Sequence, residues 1–130
     1  MAEAYIVAAT RTAGGRKGGR LRGWHPADLG AVVLNELIDR TGIDPSVVED
    51  VVMGCVMQVG EQATNVGRGA VLASKLPESV PATSVDRQCG SSQQALHFAA
   101  QAVMSGTMDV VIAAGVYRSA RPPDTLPRRH

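Results

Sequence analysis

Val85-Asp86-Arg87-Gln88-Cys89-Gly90-Ser91-Ser92-Gln93-Gln94-Ala95 decides how this chain is read. Upstream, Ala82-Thr83-Ser84-Val85 is small and β-branched, as a strand requires. Downstream, Ser91 to Ser105 holds no proline or glycine and is rich in good helix formers. The stretch therefore predicts a strand, a tight turn bearing a cysteine, and a helix. A cysteine at that joint sits among the first unpaired N–H groups of the helix, and the positive end of the helix dipole favours its thiolate. Arg87 adds a positive charge nearby. These are the conditions of a nucleophilic cysteine. The competing reading is a buried, inert thiol, the usual fate of a free cysteine.

The helix after Cys89 carries a second message. Leu96, Phe98, Ala99, Ala100, Ala102, Val103 and Met104 cover most of its circumference. A helix apolar nearly all round is buried nearly all round, in the middle of a large protein. A chain of 130 residues has little to place on both of its sides.

Composition narrows the function classes. The length suits one ordinary domain, and a 45% hydrophobic fraction allows a real core. Aromatic residues make up only 3%, so that core is aliphatic. A net charge of +1 disfavours a general nucleic-acid binder. Cys55 and Cys89 set no disulfide framework and fit a reducing compartment. The N-terminus lacks a signal-length apolar run, and no segment approaches the roughly 18 apolar residues of a membrane span. The expectation is a soluble, cytoplasmic protein without nucleic-acid or membrane partners, and with no bound metal.

Taken in order, Ala4 to Ala9 is an apolar run that reads as a buried strand. Arg11 to Gly23 holds five basic residues and five glycines. It fits neither the Walker nor the dinucleotide pattern and reads as a solvated loop, with an anionic ligand or a subunit contact as the alternative. Pro26 opens a helix that Gly42 closes, with Leu29, Val33 and Leu37 stacked on one face. A strand lies within Val47 to Val59, and Cys55 inside it reads as inert core. Asn65 caps a helix running to about Lys75, and Pro77 stops it. Gly67 and Gly69 suggest close backbone packing there. After the Cys89 helix, Gly106 ends it and Val110 to Ala114 forms a last strand. The β-α-β-α-β-α-β alternation defines an α/β protein, a parallel sheet with helices on both faces. His25 and His97 lack metal-ligand spacing, and His97 reads as a packed helix residue.

Asp86 to Ala95 resembles the nucleophile signature of the thiolases, the acetyl-CoA acetyltransferases and 3-ketoacyl-CoA thiolases. The likeness continues upstream. Arg11-Thr12, Gly15, Gly19 and Leu21 resemble the family's first loop, and Asp28-Leu29-Gly30-Ala31 its first long helix. Gly54, Gly60-Glu61-Gln62, Asn65 and Arg68 resemble the next strand and helix, and Leu76-Pro77 with Val80 to Thr83 the lead-in to the cysteine strand. Two positions depart. Ser92 stands where the family commonly has glycine, and Asp86 where asparagine is frequent. A condensing enzyme of the ketoacyl synthase type shares the fold and the cysteine position, but the matches at Arg11-Thr12 and Gly60 to Arg68 favour thiolase.

The resemblance implies the N-terminal half of the thiolase-like fold, incomplete, over residues 1–116. It also implies acyl transfer between acyl-CoA and CoA or acetyl-CoA through an acyl-thioester on Cys89. The substrates are acyl-CoA and 3-ketoacyl-CoA, no separate cofactor is needed, and the complete protein is a dimer or tetramer in lipid or fatty acid metabolism. Residues 117–130 carry four arginines and three prolines without a hydrophobic period. Where thiolases continue with Gly-Gly-x-Glu-x-Met-Ser, this chain reads Ala114-Gly115-Val116-Tyr117-Arg118-Ser119. An out-of-frame reading from about codon 116 or 117 produces such a tail; a natural disordered or partner-binding tail is the alternative. The family's Gly-His-Pro histidine and its second, acid/base cysteine are not in this sequence. The expectation is a truncated acyltransferase, inactive alone. Alternatives are a non-catalytic thiolase-like binding or assembly module, and an unrelated redox domain using Cys89.

Overall fold

The computed structural model describes residues 2–119. Three strands form one parallel sheet: β1 (Asp50–Gly54), β2 (Ala82–Val85) and β3 (Val111–Gly115), in the order β2-β1-β3. Three helices accompany them: α1 (Pro26–Thr41), α2 (Val66–Leu72) and α3 (Ser91–Met104). The α/β class and the parallel sheet are as the sequence implies.

The strand order decides where the helices lie. The chain steps from β1 outward to β2 through α2, then back across β1 to β3 through α3. Parallel crossovers are right-handed, so reversing the direction of travel moves the connecting helix to the opposite face. Packing agrees. Met53 meets Gly30 of α1 and Gly67 of α2, whereas Gly54, the next residue of β1, meets the first turn of α3. The α1/α2 side holds the main core, with Leu34, Ile38, Val51, Met53, Val71 and Ile112 among its buried members. On the other side Ala95 and Ala99 of α3 are buried.

Local signals place the helix ends. His25 caps α1, its Nδ1 accepting from the Ala27 N–H at 3.2 Å, and Gly42 ends it in the left-handed conformation at φ 66°. Asn65 caps α2: its Oδ1 accepts from the Arg68 N–H at 3.0 Å. Gly106, at φ 75°, follows the end of α3.

Four expectations are corrected. Ala4 to Ala9 is not a strand. Tyr5, Ile6 and Val7 are 76%, 73% and 83% exposed. An apolar run needs a ladder partner as well as a core to become a strand, and no described strand pairs with this one. In α1 the fully packed row is Gly30, Leu34 and Ile38, while Leu29, Val33 and Leu37 are only partly covered. Apolar residues occupy two neighbouring rows of this helix, and the row facing Met53 is the one buried. The strand expected within Val47 to Val59 is there as β1, but α2 stops at Leu72, short of Lys75 and Pro77. Finally, α3 is not buried all round. Leu96 is 43% and Phe98 44% exposed, since one face packs on the sheet and nothing among the described residues covers the other. Residues 117–130, read as a patternless tail, lie mostly outside the described residues.

Candidate active site

The C-terminal ends of all three strands converge on one edge of the sheet, and Cys89 lies there. After β2 the chain makes a tight turn. The Gly90 N–H donates to the Arg87 carbonyl at 2.6 Å, and the Arg87 N–H donates to Ser91 Oγ at 3.1 Å. Within this turn Cys89 takes φ 60°, the left-handed region that an L side chain rarely adopts. Holding it there costs about 1–2 kcal/mol. The turn throws the side chain outward, and Cys89 is exposed. Cys89 precedes Gly90, the N-cap of α3, so it lies just outside the helix rather than in its first turn. No side chain caps α3. Its leading amides therefore have no side-chain partner.

Small residues allow α3 to come this close. A Cβ on Gly54 would lie 2.3 Å from the Ser91 carbonyl carbon and 2.4 Å from the Ser92 nitrogen. A Cβ on Gly115 would lie 2.5 Å from Ser92 Cβ. Gly54 and Gly115 are register partners on β1 and β3, so they form a two-strand seat beneath the first turn of the helix. That seat also answers the departure at Ser92: its side chain occupies the room that Gly115 leaves free.

A cavity of about 650 Å³ opens beside the cysteine, lined by Cys89, Ser91 and Ser92 with Val56, Val116 and Tyr117. The cavity wall is mostly apolar and includes no histidine and no carboxylate among the described residues. Arg87 and Asp86 are exposed, and Asp86 accepts from Gln88 Nε2 at 3.1 Å. His25 is spent on the α1 cap and His97 is exposed on α3. Cys55 is buried, its Sγ 3.6 Å from the Met57 carbonyl, and burial pushes its thiol pKa up. Its place in the core is as the sequence implies. The basic glycine-rich loop lines a separate cleft of about 1080 Å³, together with Leu29, Val33, Leu37 and the exit of β3. Among the described residues, no group of His, Cys, Asp or Glu is placed to hold a metal ion.

Sequence reasoning missed Gln62. It is buried at 4% exposure in a 3-10 turn, Gly60–Gln62. Its Oε1 accepts from the Arg118 N–H at 2.7 Å, and its Nε2 donates to the carbonyls of Arg118 at 3.0 Å and Met57 at 2.9 Å. The only sequence signal was its place in Gly60-Glu61-Gln62.

The site thus defines an α/β protein that presents a cysteine on a strained strand-to-helix turn, over a helix N-terminus. Comparison with known proteins makes the class specific. Residues 4–127 match the family described as thiolase, N-terminal domain, and the chain belongs to that family. It is 55% identical over 123 residues to a steroid 3-ketoacyl-CoA thiolase, FadA6, of Mycobacterium tuberculosis, covering 95% of this chain and 30% of that protein. It is 44% identical over 124 residues to a beta-ketoadipyl-CoA thiolase of Escherichia coli, covering 95% and 31%. It is 45% identical over 118 residues to a 3-ketoacyl-CoA thiolase of Erwinia tasmaniensis, covering 89% and 30%. The chain spans about a third of the length of these relatives.

Proposed function

We propose that this chain supplies the nucleophile-bearing part of a thiolase-type acyltransferase acting on CoA thioesters. The observation that carries the reading is Cys89, exposed at φ 60° beside an uncapped helix N-terminus, in a chain of the thiolase family. In the thiolytic direction the Cys89 thiolate adds to the keto carbon of a 3-ketoacyl-CoA. The bond between the keto and α carbons then breaks, its electron pair stays on the α carbon, and protonation there gives acetyl-CoA. The acyl group remains on Cys89 as a thioester. A CoA thiolate then attacks that thioester, releasing the shortened acyl-CoA and restoring the cysteine.

No histidine or carboxylate lines the cavity among the described residues, so a base and a second proton carrier have to come from elsewhere in a complete enzyme. The 130 residues alone therefore do not turn over, and no cofactor beyond the CoA thioesters is required. The names of the relatives support 3-ketoacyl-CoA substrates. Two unpaired cysteines are consistent with a cytoplasmic setting. The outer edge of β2 offers backbone groups to a second copy, in keeping with an oligomeric enzyme.

The test is labelling. Iodoacetamide at limiting concentration should modify Cys89 and spare Cys55, as read by peptide mapping, and acetoacetyl-CoA should be consumed no faster with the chain than without it. Alkylation of Cys89 no faster than of a free cysteine would remove the nucleophile reading. Sustained CoA-dependent thiolysis would remove the claim that the chain is inactive alone.

A further inference from the structure

We propose that Gln62 is a positioning residue for the Cys89 cavity. Its amide locks the main chain leaving β3, so that Val116 and Tyr117 stand as a fixed wall of the cavity. This inference rests on the reading of Cys89 as the reactive group.

The geometry points to Gln62 in three ways. First, the ladder between β1 and β3 runs out at this place. The Val116 N–H donates to the Gly54 carbonyl at 3.0 Å, one residue past β3. Tyr117 follows, half exposed, on the boundary between the Cys89 cavity and the larger cleft, and it lines both. Second, the next residue is gripped twice. Gln62 takes the main chain of Arg118 through both its N–H and its carbonyl. Separately, the Arg118 guanidinium donates to Glu61 Oε2 at 2.6 Å, to the Trp24 carbonyl at 2.8 Å and to the Arg22 carbonyl. Third, the Gln62 amide also donates to the Met57 carbonyl. Met57 adjoins Val56, which lines the same cavity. One buried side chain thus couples the loop after β1 to the loop after β3, and residues of both loops line the cavity.

A buried amide that uses both donors and its acceptor holds its partners in one arrangement, because releasing any of them leaves an unsatisfied polar group. The grip on Arg118 is on backbone atoms, so it does not depend on which side chain stands there. The Glu61 contact is exposed at one end and secures the side chain only.

The expected consequence is a size filter at Cys89. The measurement compares Cys89 alkylation by iodoacetamide with alkylation by its bulky N-aryl analogue, iodoacetanilide, in the full 130-residue chain. Gln62→Met keeps the volume and removes the hydrogen bonds. It should raise the rate with the bulky reagent several-fold relative to the small one. Tyr117→Ala should do the same with unchanged thermal stability. Glu61→Gln, which leaves the Gln62 grip intact, should change neither rate, and Gln62→Glu should fail to rescue, because its carboxylate repels two carbonyls. If Gln62→Met does not fold, Tyr117→Ala decides alone. An unchanged bulky-to-small ratio in Tyr117→Ala overturns the proposal, as does an equal rise with both reagents in Gln62→Met. Slow reaction of the parent Cys89 with both reagents is a different outcome: it overturns the nucleophile reading on which the proposal stands.

Discussion

Replacing Gly54 with alanine tests the seat beneath α3 most directly. The new Cβ would meet the Ser91 carbonyl carbon at 2.3 Å and the Ser92 nitrogen at 2.4 Å. Ordinary contact begins at 3.4 Å, so strand and helix must part by roughly 1 Å at this point. The obstacle is main chain on both sides, and no rotamer change relieves it. Overpacking costs about 1–3 kcal/mol, and a backbone obstacle places Gly54→Ala at the upper end. For a chain of this size that lowers Tm by roughly 10 °C. Gly115→Ala is the matched control. There the obstacle is Ser92 Cβ at 2.5 Å, and with that atom gone the next contact, Ser92 Cα, is at 3.5 Å. Ser92→Gly should therefore rescue most of the loss in Gly115→Ala and almost none in Gly54→Ala. Thermal melts of the three single and two double variants complete the cycle, with iodoacetamide labelling of Cys89 as a second readout. A Gly54→Ala chain that melts within about 1 °C of the parent refutes the argument. Equal rescue of both alanine variants by Ser92→Gly refutes it too.

The turn at Cys89 should be strained: Cys89→Gly should be more stable than Cys89→Ala by about 1 kcal/mol in urea unfolding, since only glycine adopts φ 60° freely. Cys55 should react with a thiol reagent only as fast as the chain unfolds, because it is buried and its thiol pKa is raised; labelling in the native state at neutral pH would contradict this. Asn65→Ala should cost about 2 kcal/mol, because it removes the α2 cap together with the bonds to Ser84 Oγ at 2.8 Å and the Ala82 carbonyl at 2.9 Å; a loss confined to a few tenths would show the bonds to β2 to be idle. Glu49 accepts from the Asp109 and Val110 N–H groups, which hold its carboxyl below the ordinary glutamate value of 4.5. A depressed folded pKa gives stability that is present above 4.5 and lost as pH falls through the folded value. Glu49→Gln should therefore flatten the acid limb of the Tm-against-pH curve, and a limb of unchanged slope would rule Glu49 out as its source.

What the sequence made legible was local. Pro26 and Gly42 bracket α1, Asn65 caps α2, and Gly106 follows α3, because each of these depends on a few neighbouring backbone groups. The strand–cysteine–helix joint was legible for the same reason. The left-handed turn at Cys89 was not, because no side chain in Asp86 to Gly90 announces it. Burial failed wherever it needed a distant partner. Tyr5, Ile6 and Val7 are as apolar as Val51, Val52 and Met53, yet only the latter have strands on both sides. The sequence pointed to the row of Leu29, Val33 and Leu37 in α1, whereas Met53 and Ala70 pack on the row containing Gly30. Gln62 is a polar residue in a short turn, and nothing in its neighbourhood foretells three hydrogen bonds reaching from Met57 to Arg118.

The glycines and the cysteine belong to one mechanical arrangement. Because the chain reverses direction between β2 and β3, α3 must cross over β1, and its first turn lands on the ends of β1 and β3. It can land there only if both strands end in residues without a Cβ, which Gly54 and Gly115 supply side by side. The close landing leaves few residues to leave β2 and enter α3, and the turn is taken up at Cys89 with φ 60°. That same turn puts the sulfur outside the helix and exposed, ahead of its uncapped first turn. A bulkier strand end would lift the helix and relax the turn, and the sulfur would lose its place over the cavity. The exposure of the nucleophile is thus set by packing beneath the helix as much as by the residues around the cysteine itself.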